Sequence, residues 1–68
     1  MVEVFKTNVC EEVQASRLTA LLKRQFPGSR VSFDLEDSDN VLRVEGDITP
    51  IQILQVLHSE GCLCEALE

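Results

Sequence analysis

Tryptophan and tyrosine are both absent from this 68-residue chain, and phenylalanine occurs three times, at Phe5, Phe26 and Phe33. A core with so few rings has to be assembled from valine, leucine and isoleucine. In a domain this short, nearly every such side chain is needed. Basic residues are also scarce, six against twelve acidic ones, for a net charge of −6. That balance repels a phosphate backbone and an anionic membrane surface alike, so neither nucleic acid nor membrane is an expected partner. No apolar run approaches the ~20 residues that span a bilayer. The opening residues MVEVFKTN lack the cationic start and long apolar stretch of a secretory signal, and a cytoplasmic location is the expectation. Glycine-rich phosphate loops are missing, as is a Ser/His/Asp set with workable geometry, so an enzyme is not expected. The acidic run DLEDSDN lacks the central glycine and the final glutamate of a calcium loop, and reads as a turn.

Paired cysteines are missing too. The chain has three, an odd number: Cys10 stands alone, and Cys62 and Cys64 flank Leu63. A secreted disulfide scaffold of this size carries an even set, so free thiols in a reducing compartment are the better reading.

What is present has clear periods. MVEVFKT has high β-propensity, with Val2 and Val4 on one face and Phe5 on the other. From about Glu11 the rhythm becomes helical, through Ala15, Leu18, Leu21, Leu22 and Phe26. Glu11 and Glu12 in the first turn and Lys23 and Arg24 in the last suit the helix macrodipole, and Pro27–Gly28 stops the helix. RVSFDL alternates, with Val31, Phe33 and Leu35 pointing one way. Asp37, Asp39 and Asn40 make a turn, and VLRVEG returns as the second strand of a hairpin with Leu42 and Val44 inward. Thr49 caps a second helix with Pro50 at its first position, and Ile51, Leu54 and Leu57, supported by Ile53, form its expected buried stripe. Gly61 ends that helix and CLCEAL is the last strand. The order β-α-β-β-α-β predicts one α+β domain over residues 1–68 with a ferredoxin-like fold. It has a four-stranded antiparallel sheet with both helices on one face.

With that element order, the strand–loop–helix around KTNVCEEVQ and the stretch ITPIQILQVLHSEGC together resemble the heavy-metal-associated domain of copper chaperones. The resemblance covers the whole chain. It implies a loop of the form Met-x-Cys-x-x-Cys, whose two thiolates hold a soft ion. With Leu18 and Leu22 set on the family's buried helical positions, Val9 falls at the methionine, and Glu11 and Gln14 fall where the cysteines belong. A slip of one residue puts Cys10 on the first cysteine position and Val13 on the second, but rotates the leucines by ~100° off the core. The usual metal pair is therefore lost in either register. FDLEDSDNVLRVE is similar to small bacterial relatives of the family that also lack the pair, and these bring no assigned activity.

Two functions from different classes follow. One is a small non-enzymatic interaction module on this scaffold, meeting a protein partner or another copy of itself through exposed sheet edges. The other is a soft-metal carrier for Cu(I) or Zn(II), with a rearranged thiolate site of Cys10, Cys62 and Cys64. In the resemblance, the residue after the helix-ending glycine lies near the metal loop, and Cys62 holds that place. Against the carrier, Cys10 sits beside Glu11 and Glu12, which oppose a thiolate, and Cys64 suits a small buried hydrophobe. His58, four residues before Cys62, fits a solvated helix face better than a ligand set.

Overall fold

The computed structural model describes residues 2–36 and 38–67; Met1, Asp37 and Glu68 lie outside it. Six elements follow in the order β1 (Val2–Thr7), α1 (Glu12–Gln25), β2 (Arg30–Asp34), β3 (Val41–Glu45), α2 (Pro50–Ser59) and β4 (Cys64–Leu67). The strands form one antiparallel sheet in the order β2-β3-β1-β4, the α+β arrangement that the periods predict. The expected turn role of Asp37 falls outside the described residues, but Asn40 takes a left-handed φ of 49° there, as a turn asparagine readily does.

Register decides which side chains enter the core. Phe5 lies opposite Leu42 on β3 and Ala66 on β4, and Phe33 on β2 also lies opposite Leu42. Because directly paired residues share a face, these side chains and Val31, Val44 and Thr7 line the side that the helices cover. Ala15, Leu18 and Leu22 of α1 and Ile53, Val56 and Leu57 of α2 complete the core. Val2, Val4, Lys6, Arg43 and Glu65 occupy the open face by the same alternation.

The second helix corrects one expectation. Ile51 is 62% exposed, and Leu54 is only partly buried, while Ile53, Val56 and Leu57 are the buried residues. Positions 51, 54 and 57 drift by ~60° at each step of three residues, so they cannot all face one neighbour. Ile53, Val56 and Leu57 fall within an arc of ~100° and do. The helix start is held as expected: the Thr49 N–H donates to Gln52 Oε1 at 3.0 Å, one half of a capping box.

Candidate functional site

One end of the sheet gathers the loop after β1, the β2–β3 turn and the segment entering β4. Thr7 organises it from beneath. Its hydroxyl donates to the Asn40 carbonyl at 2.7 Å and accepts the Val9 N–H at 3.2 Å, and its own N–H donates to the Asp39 carbonyl at 3.2 Å. Val9 is completely buried, so the loop is plugged into the core at that residue, and the next one, Cys10, is exposed. Asn8 then bridges to the far segment: its N–H donates to the Leu63 carbonyl at 3.3 Å, and its Oδ1 accepts the Leu63 N–H at 3.0 Å. The Cys10 loop and the Cys62 segment therefore do meet, although 52 residues separate the two cysteines.

Cys62 is positioned by the end of α2. Gly61 takes φ 79°, which a glycine adopts without the Cβ strain that other residues meet. The Cys62 N–H then reaches back to the Leu57 carbonyl at 2.9 Å, while the Gly61 N–H bonds the His58 carbonyl at 3.0 Å. This Schellman-type closure turns the residue after the glycine onto the core. Cys62 is 4% exposed, and its Sγ accepts Gln14 Nε2 at 3.4 Å. The neighbour on the sulfur is thus the amide of the residue that the helix register sets at the second cysteine position. Sequence reasoning marked Gln14 as a lost ligand and did not anticipate its contact with Cys62. The last strand begins at Cys64 rather than Cys62, two residues later than CLCEAL suggested.

Cys64 pairs with Thr7 and so faces the helices, half-buried against the core. Burial, helped by the neighbouring Cys62 sulfur, pushes its thiol from 9.0 up to about 11. A folded-state value above the unfolded one means that the protonated thiol is the form the fold favours. That contribution to stability is complete below pH 9 and is lost as pH climbs towards 11. A metal must displace that proton, which weakens any thiolate site here at neutral pH. His58 is exposed and shares a shallow cleft of about 360 Å³ with Cys64, Leu63, Asn8 and Lys6. Among the described residues, no three His, Cys, Asp or Glu side chains gather as a metal-holding group.

Differential thiol labelling follows directly. With iodoacetamide at pH 8 the native protein is expected to alkylate rapidly at one thiol, Cys10, and slowly at Cys62 and Cys64. Denaturant should make all three react, and the native Cys64 rate should keep climbing with pH up to about 11 before it levels off. Mass spectrometry of peptides after timed quenching reads each site, and fast native labelling of Cys62 would contradict its burial.

No family model matches the chain, and no curated protein matches it either. The geometry therefore carries the functional reading.

Proposed function

We propose that the chain is a small non-enzymatic interaction module, built on a scaffold similar to the heavy-metal-associated domain whose usual thiolate pair has been replaced. The observation that carries this is the Gln14 contact on Cys62 Sγ. A neutral amide donor takes the place that the resemblance gives to a thiolate, and it satisfies the sulfur without a metal. The loop end is also flanked by exposed apolar side chains, Val13 at 83% and Leu63 at 69%, of a kind that contacts with other proteins cover. The two outer strands, β2 and β4, leave backbone groups on which another chain can pair.

One observation favours the soft-metal alternative: Cys62 and Cys64 lie close enough for one thiolate to raise the other's pKa. The test is anaerobic titration of the reduced protein with Cu(I) against a competing chelator, wild type beside Cys62→Ser. The expected result is no competitive uptake by either protein. Tight stoichiometric uptake by the wild type that collapses in Cys62→Ser would overturn the module reading and put the carrier in its place.

A further inference from the structure

The sequence of β2 is Arg30-Val31-Ser32-Phe33-Asp34, and it reads as its own complement. β2 is an outer strand of the sheet, with β3 on one side only. A second β2 laid antiparallel against it, with Ser32 opposite Ser32, brings Arg30 of each copy opposite Asp34 of the other. Val31 of each copy then meets Phe33 of the other. The charged pairs fall on the open face of the sheet and the apolar pairs on the helix face, because side chains alternate along a strand. Both faces are matched by one two-fold axis.

We propose that the β2 edge is an interface for a second copy of this chain, paired antiparallel about Ser32 into one continuous sheet. The proposal rests on the interaction-module reading and names its partner.

Three further features fit this occupant. Arg30 is exposed and enters no ion pair among the described residues, although Glu45 lies directly across from it on β3. An open groove of about 750 Å³ runs between β2 and α1, with the partly buried Phe33 and Leu35 on its strand side. Its helix side is made of Ala15, Ser16, Thr19 and Ala20, small enough to admit the partly buried Phe33 side chain of an added strand. The ends of the groove differ in charge. Because α1 leads into β2 through a short turn, Lys23 stands near the Arg30 end, and Glu12 and Glu36 stand near the Asp34 end. The same two-fold that pairs Arg30 with Asp34 sets the basic end of one groove over the acidic end of the other. The opposite edge of the sheet has no such symmetry. A β4 strand centred on Glu65 sets two glutamates face to face, and one centred on Ala66 sets Glu65 against Leu67, so neither register pairs opposite charges. The symmetric contact belongs to β2. It is isologous and closes on itself, so a dimer forms and not a fibre.

The experiment is sedimentation equilibrium of the whole chain from micromolar to millimolar concentration, with circular dichroism confirming that each variant is folded. The wild type is expected to move from its 7.6 kDa monomer mass towards twice that value. Arg30→Asp makes both ends of the strand acidic, and should weaken association by roughly tenfold or more. Arg17→Asp changes net charge equally but lies at the Glu60 ion pair, away from β2, and should associate like the wild type. Asp34→Arg makes both ends basic. Mixed with Arg30→Asp, it restores both opposite-charge pairs, so the equimolar mixture should dimerise more tightly than either variant alone. Wild type that stays monomeric throughout overturns the proposal, and so does an Arg30→Asp protein that associates as strongly as the wild type. Either failure leaves the Cu(I) result untouched, and competitive Cu(I) uptake leaves the sedimentation result untouched, so the two readings fail separately.

Discussion

Phe5→Ala is expected to leave the chain largely unfolded at room temperature. Phe5 is completely buried on β1, an inner strand, and packs between Leu42 of β3 and the two helices. It is the one aromatic ring fully inside; Phe26 and Phe33 are only partly covered. Truncating a buried phenylalanine costs about 3–5 kcal/mol in lost burial and residual cavity. A domain of this length has a total stability on the order of 3–10 kcal/mol. The loss is therefore about a third of the total at the least and more than the whole of it at the worst. Urea unfolding followed by far-ultraviolet circular dichroism measures it. Val13→Ala, at an exposed position on α1, is the comparison and should change stability by no more than about 0.5 kcal/mol. A Phe5→Ala midpoint close to that of Val13→Ala would show that β1 does not sit where the pairing places it.

Thr7→Val is the second large effect, and it tests the floor of the candidate site. Valine keeps the shape and removes the hydroxyl, so the Val9 N–H loses its acceptor and the Asn40 carbonyl loses a donor. Leaving buried polar groups unsatisfied costs roughly 1–3 kcal/mol. Thr7→Ser keeps the oxygen and gives up one methyl group, about 0.8 kcal/mol of burial, and should fall between valine and wild type. Amide exchange at Val9 supplies the local readout: it should accelerate in Thr7→Val and change little in Thr7→Ser. If the valine variant were as stable as wild type with Val9 still protected, the two bonds of Thr7 would be of no consequence to the loop.

Much of this architecture was legible in the residues. Strand and helix periods, the Pro27–Gly28 stop, the Thr49–Pro50 start and the Gly61 stop place all six elements within about two residues of where they lie. The stripe of α2 was not legible, because PIQILQVLHS carries apolar residues at 51, 53, 54, 56 and 57, and these form two overlapping helical rows. Only the sheet beneath the helix selects between them. The site was legible in its location and illegible in its contacts. Helix register identified Gln14, and the place after the helix-ending glycine identified Cys62, as the positions to compare with the resembled family. Nothing in the order of residues says that a side chain on α1 will lie on a sulfur 48 residues away. Such contacts are set by how the two helices share the sheet, a property of the assembled layers. Thr7 was missed for a related reason: a threonine at the end of a strand looks like any β-former until the carbonyl of a distant turn comes to rest above it.

The turn at Gly61 has a consequence for time as well as for place. The backbone bond that holds Cys62 inward is also the one that closes the last turn of α2. With Cys62 only 4% exposed, opening of that turn is the route that uncovers the sulfur to a reagent, so its slow chemistry tracks the openings of one helix end. Cys10 on the facing loop is accessible throughout and supplies an internal clock for the reagent itself. Two natural thiols, one on each side of the same seam, thus make this small protein a self-referenced recorder of its own fraying.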